Sequence, residues 1–288
     1  MSMRGLVVLV VACVGLVAGG VAGPAAAQAQ NRVQAGAVAK TSGAVTATLS
    51  WKAGQFAVTK PRLTIARGGT VVSDLDVSDV CKDCLLVEDT AGNADEVFTI
   101  MHVADLTGDG EPEVSFDTFS NGAHCCTTQR IYAYRPATNS YRRVLSLYWG
   151  NVGYEVKDLD GDGTAELSGA DDSFAYAFSS YAASAFPPKV LSLSLNAATG
   201  KAAVKDITRR FPAMIRSDAA RLLKAIRAAK PEENREIQGA IAAYVAEQYL
   251  LGKGAVGKAE IVRARKRGLT APGFQTNLLA FLKRTGYR

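Results

Sequence analysis

Nine residues occur twice in this chain in nearly the same arrangement, and they restrict its fold more than any other feature. Asp105-Leu-Thr-Gly-Asp-Gly-Glu-Pro-Glu113 returns 53 residues later as Asp158-Leu-Asp-Gly-Asp-Gly-Thr-Ala-Glu166. Runs rich in β-formers flank the first copy, Val97–Val103 before it and Val114–Phe119 after it. Tyr154–Val156 leads into the second. Hairpin signals follow each copy: Pro136–Asn139 between two strand-like runs, then Asn196–Gly200 between two more. The unit is therefore strand, acidic loop, strand, hairpin. Propeller blades are four-stranded units of about 40–50 residues. Two clear units and a degraded third near residues 50–79 are too few for a ring, which takes about 4–8 blades.

Further along the chain the hydrophobic period changes. Val45, Ala47, Leu49 and Trp51 alternate with Thr46, Thr48 and Ser50, as a half-buried strand does, and Gly68-Gly69 marks a turn. Past Phe211, Ala219, Leu222, Leu223 and Ile226 share one helical face. Pro231 suits the start of a second helix, and Gly252 suits its end. Ala255–Arg267 and Phe274–Thr285 read as a third and a fourth. The expected class is α+β: a β-rich domain of blade-like antiparallel sheets (a partial propeller or sandwich) over 44–210, followed by an all-helical C-terminal domain over 211–288. Residues 28–43, rich in Ala, Gln, Gly and Ser, read as a flexible lead-in.

Residues 1–27 predict a secretory signal peptide. Arg4 precedes an apolar run from Leu6 to Ala22, and Ala25–Ala29 offers small-residue cleavage sites after Ala27 or Ala29. A membrane anchor, the alternative, needs roughly 20 apolar residues, so the run is borderline for one. Cys13 loosely fits a lipidation box, but the apolar run continues past it. No later segment reads as a transmembrane span. The expected location is secreted or extracytoplasmic.

The acidic loops place oxygen side chains at positions 1, 3, 5 and 9, with Gly at position 6. A hard cation such as Ca²⁺ takes about six to eight oxygens in flexible geometry, and Gly permits the sharp turn. Crowded carboxylates repel one another unless a cation sits among them. An EF-hand would need Glu at position 12, where Phe116 and Gly169 stand instead. Two polar turns that are merely acidic are the plainer alternative.

On these residues, Asp105–Val114 and Asp158–Leu167 resemble the calcium loop of FG-GAP (VCBS-type) repeats of exported proteins. The resemblance covers roughly residues 95–170 and not the helical part. It implies one or two Ca²⁺ ions, with Asp105, Thr107, Asp109 and Glu113 as side-chain ligands of one loop and Asp158, Asp160, Asp162 and Glu166 of the other. Glu111 and Thr164 would contribute main-chain oxygens. Thr107 replaces an acidic or amide group, which implies a weaker first site.

Cys81, Cys84, Cys125 and Cys126 make an even set in a chain read as exported, which favours disulfides without fixing their connectivity. A zinc site adding His124 and a redox dithiol at Cys81–Cys84 are the alternatives. His102 reads as an ordinary strand histidine. Phe174, Tyr176 and Phe178 alternate as on a strand face, as core or as a stacking platform.

No nucleophile elbow, metalloprotease pair or phosphate loop is present in the sequence. Asp171-Asp172 beside aromatics leaves a secreted hydrolase of carbohydrate or another polymer as the alternative to a non-catalytic binding or adhesion-type module. Residues 208–288 hold 17 Lys/Arg against 6 Asp/Glu, a surplus of 11, while residues 28–207 hold 15 against 21. The basic part would meet anionic envelope polymers or another protein, or be simply a solvated surface; nucleic acid is not an expected partner of an exported chain.

Overall fold

The structure is a computed structural model and describes residues 35–54, 58–80, 85–86, 101–122, 125–196 and 199–288. Strand β2 (Val45–Lys52) buries every second residue, as its alternating sequence requires. It lies in an antiparallel meander between β1 (Gly36–Ser42) and β3 (Thr59–Arg67), with β4 (Thr70–Asp76) outermost. Gly68 and Gly69 turn the β3–β4 hairpin at φ +56 and +80, two successive left-handed positions that only such residues take cheaply.

Two expectations change here. Residues 36–42 are not a flexible lead-in but a strand paired along its whole length with β2. Gly-Ala-Val-Ala-Lys-Thr-Ser carries no alternation because the strand lies at the sheet edge and is mostly exposed; the backbone of β2 provides its partners. Gly36 also lies against Trp51 so closely that a Cβ would come within 2.6 Å of the indole. The first unit is accordingly not degraded: it is a full four-stranded sheet whose first connection is a short turn instead of an acidic loop.

The second sheet has β7 (Glu113–Gly122), β8 (Cys125–Arg135) and β9 (Ser140–Gly150) in order. β5 (Leu85–Leu86) and β6 (Met101–Ala104) share the outer edge of β7 end to end. The third sheet runs β10 (Tyr154–Lys157), β11 (Glu166–Ala170), β12 (Pro188–Leu195), β13 (Ala202–Asp206). Neighbouring residues of β8 serve opposite faces. Tyr132 joins a core with Leu49, Ile65, Met101 and Phe116 against the first sheet. Ile131 joins one with Leu106, Trp149, Leu167 and Leu191 against the third. The sheets thus stack in series, each pair sharing one core.

Four helices follow: α1 (Pro212–Ala228), α2 (Asn234–Leu250), α3 (Gly254–Lys266) and α4 (Phe274–Arg284), so the class is α+β. Gly252, Gly268 and Gly286 close their helices in the left-handed conformation. α2 is buried without interruption from Ile241 to Gln248, which makes it the centre of the bundle. No helix among the described residues is long and apolar enough to cross a membrane.

The aromatic run at 174–178 is not a strand. Asp171 caps a short 3-10 turn at Asp172–Phe174, and Tyr176 takes φ +58, which breaks extension. Phe174 and Phe178 instead enter the helical core, where Phe174 meets Phe281 and Tyr287 edge-on. The connection from β11 to β12 therefore anchors the bundle to the third sheet.

Candidate metal centre

Both acidic loops sit between the first and second strands of their sheets, β6 to β7 and β10 to β11. One hydrogen-bond template builds both. Asp105 accepts N–H bonds from Gly108 at 2.7 Å and Gly110 at 2.8 Å. Asp158 accepts them from Gly161 at 2.7 Å and Gly163 at 2.9 Å. These bonds need left-handed backbone at all four glycines, which have φ between +73 and +91. Asp109 accepts from the Glu111 amide, and Asp162 from the Thr164 amide. The acid at position 9 opens the next strand and reaches back to position 2: Glu113 to the Leu106 amide at 2.8 Å, Glu166 to the Leu159 amide at 2.9 Å. Those two glutamates are only 2% and 3% exposed.

Burial pushes the Glu113 carboxyl up to about 7; the Leu106 amide pulls the other way, and Asp109 and Asp105 add to the rise. Glu166 is raised too, first by burial and then by Asp160, Asp162 and Asp158, against the Leu159 amide bond. Asp158 moves down because the Gly163 and Gly161 amides hold its charged form. Each loop thus combines a well-hydrogen-bonded carboxylate with a buried one whose negative charge is opposed.

In the second loop one oxygen each from Asp158, Asp160 and Glu166 lie within 4.8 Å of one another. Ligand oxygens about 2.4 Å from a Ca²⁺ ion are at most about 4.8 Å apart, a condition that these three oxygens meet. The first loop differs at position 3. Thr107 turns its hydroxyl onto Glu113 at 3.1 Å. The Glu111 side chain faces away, held by Arg67 at 2.9 Å and by the Tyr141 hydroxyl at 2.9 Å, which leaves only its main chain toward the loop. The loops also touch: the Ala165 amide donates to the Asp105 carbonyl at 2.8 Å, and a Cβ on Gly108 would meet Thr164 Oγ1 at 2.9 Å. In the second loop Asp160 pairs with Arg210 at 2.6 Å. Sequence reading missed Arg67, Tyr141 and Arg210, because no local pattern ties them to loops tens of residues away.

The other candidates fall elsewhere. Cys81, Cys84 and His124 lie outside the described residues. Cys126, on β8, is disulfide-bonded, and its partner is not among the described side chains, so neither the connectivity nor a role for Cys125 is assigned. The His102 ring packs against Tyr154 at 5.8 Å. Asp171 accepts from the Ser173 amide, the Tyr287 hydroxyl and Lys189, and Asp172 from the Asn151 amide. Both carboxylates tie the β11–β12 connection to its surroundings.

No family model and no solved structure matches the chain. Two curated proteins are similar to parts of it. A 77-residue stretch, 27% of this chain, is 38% identical to uncharacterized protein y4bJ of Sinorhizobium fredii and covers 12% of that protein. A 158-residue stretch, 54% of this chain, is 28% identical to probable thylakoid lumen protein sll0997 of Synechocystis sp. and covers 44% of that one. The chain spans less than half the length of either relative.

Proposed function

We propose that this protein is an extracytoplasmic, non-catalytic binding module whose β sheets are rigidified by Ca²⁺ in the two acidic loops. The observation that carries the reading is the convergence of Asp158, Asp160 and Glu166 oxygens within 4.8 Å, on a loop whose hydrogen bonds recur in the Asp105–Glu113 loop. The FG-GAP-like pattern of ligands supports the same ion. The N-terminal apolar run supports an extracytoplasmic location, as does similarity to a protein whose name places it in a lumen. The basic helical part is suited to an anionic envelope polymer or another protein.

Ca²⁺ would screen the mutual repulsion of the loop acids and hold each pair of strand ends in one geometry. Calorimetric titration of the chain beginning at Gln28, in chelator-treated buffer, tests this. Two saturable binding phases are expected, one of which disappears in Asp158→Asn. At free Ca²⁺ about 100 times the dissociation constant, binding adds about 2.7 kcal/mol, or roughly 5–10 °C in melting temperature. No heat and no thermal shift would remove the metal from the account.

A further inference from the structure

The three residues that join the third sheet to the helices grip three different parts of the molecule. Thr208, which is 1% exposed, accepts the Val190 amide of β12 at 2.8 Å. The Arg209 guanidinium donates to the carbonyls of Tyr249 and Leu250 at the end of α2, at 2.8 and 2.9 Å, and to that of Tyr287 at 3.3 Å. The Arg210 guanidinium donates to Asp160 Oδ2 at 2.6 Å. Pro212, two residues on, opens α1. Sheet, helical bundle and acidic loop are therefore tied to one short 3-10 segment.

Asp160 is one of the three acids whose oxygens converge in the second loop. The corresponding position of the first loop is Thr107, and among the described residues no cationic side chain pairs with Asp105, Thr107, Asp109 or Glu113. Among the described residues, the acid of that loop in an ion pair is Glu111, whose carboxylate already faces away. Among the described residues, then, a cation is paired with one of the convergent acids in the second loop and with none of positions 1, 3, 5 and 9 in the first.

We propose that Arg210 regulates the second loop as an intramolecular competitor of the divalent ion, and that ion binding there loosens the hold of the 208–210 segment. This rests on the calcium reading above. A guanidinium on Asp160 neutralises part of the charge that attracts the ion. An ion bound between Asp158, Asp160 and Glu166 in turn repels a guanidinium at contact distance. Each therefore weakens the other by the same factor, and the effect is reciprocal. The extra carboxylate of the second loop does not simply make it the tighter site, since its charge is shared with Arg210. Arg210 is a positioning residue here. It sets the charge and orientation of Asp160, and through Arg209 beside it the state of the loop reaches the end of α2.

The test is calorimetric titration with CaCl₂ of wild type, Arg210→Gln and Arg210→Lys, with hydrogen exchange of the 208–214 amides read in parallel. Arg210 is mostly exposed, so neither substitution threatens folding. Arg210→Gln is expected to tighten the second-loop phase about three- to tenfold, as expected for a partly exposed ion pair opposing a divalent ion. Arg210→Lys is expected to stay near wild type because the charge remains. The first-loop phase, identified as the one that survives Asp158→Asn, is unchanged. Ca²⁺ accelerates exchange at 208–214 in wild type, and in Arg210→Gln exchange is fast before any ion is added. Unchanged or weaker second-loop binding in Arg210→Gln, with calcium still bound, overturns the competition and leaves the calcium reading standing. No binding by any of the three proteins overturns both.

Discussion

Asp117 offers a direct measure of how strongly the second and third sheets are held together. It lies in the middle of β7, is 9% exposed and accepts the Tyr154 hydroxyl of β10 at 2.7 Å. Tyr154 stacks on Trp149 with ring centroids 4.6 Å apart, so the pair spans the seam between the sheets. Burial pushes the Asp117 carboxyl from 3.8 up to about 7, against the smaller opposing effect of the Tyr154 bond. The sign follows from which state keeps the proton. Between about pH 4 and 7 the folded chain holds it and the unfolded chain has released it. Stability therefore falls as pH rises through this window and levels off above it. About three pH units at about 1.4 kcal/mol each set a ceiling near 4 kcal/mol.

Asp117→Asn stays neutral at every pH, and its amide oxygen can still accept the Tyr154 hydroxyl. Urea unfolding in chelator at pH 4.5, 6 and 8 should find the variant close to wild type at pH 4.5. By pH 8 it should be more stable by about 2–4 kcal/mol. Burial raises Glu113 and Glu247 as well, to about 7 and about 10, so wild type carries slopes from other acids. Only the difference between variant and wild type is diagnostic. Parallel stability curves across the three pH values would refute the argument, and Asp117 would then be ionised and solvated in the folded protein.

Two further substitutions probe the seams on either side. Tyr287→Phe removes the buried bond to Asp171 Oδ2 at 2.9 Å and should cost about 1–2 kcal/mol in urea unfolding, with faster tryptic cleavage after Arg209 or Arg210 as the bundle loosens from the third sheet. Gly169→Ala places a Cβ 2.8 Å from the Trp149 ring and 2.9 Å from the Gly153 carbonyl, and because the carbonyl is backbone it cannot yield; a loss of about 1–3 kcal/mol in the same assay is expected.

Local physics made part of this fold legible. The alternation in β2, the paired glycines at 68–69 and the glycine helix stops each act over a few residues, so the sequence shows them directly. The acidic loops are legible for the same reason: Asp at position 1 and Gly at positions 4 and 6 fold back on one another within the loop. What could not be read depends on partners distant in the chain. β1 has no pattern of its own and exists because β2 offers it an edge. Phe174, Tyr176 and Phe178 alternate like a strand, yet the helical core that claims Phe174 comes from residues about 40–110 positions later. Arg67 lies 44 residues from Glu111, and Arg210 lies 50 from Asp160. Neither pairing leaves a local trace.

The loops divide their side chains between two tasks, and that division says what an ion there can influence. Positions 1, 5 and 9 point inward, where they bind the loop's own amides and shape the turn. Thr107 also turns inward, onto Glu113, and other polar groups of the loops meet neighbours. Glu111 meets Arg67 of the first sheet, the Asp105 carbonyl meets Ala165 of the second loop, and Asp160 meets Arg210 before the bundle. Among the described residues the buried apolar clusters are three: one shared by the first and second sheets, one shared by the second and third, and one in the helices, with Phe186 packed against both of the last two. One series of polar joints passes from first sheet to helices through the two acidic loops. An ion in the first loop would engage inward groups and leave the Arg67 joint intact. An ion in the second loop that took Asp160 as a ligand would act on the joint to the helices. Among the described residues, the second loop sets the carboxylate of Asp160, one of the three that converge, on the guanidinium of the segment before the helices, whereas the first-loop carboxylate at a joint, that of Glu111, faces away from its loop.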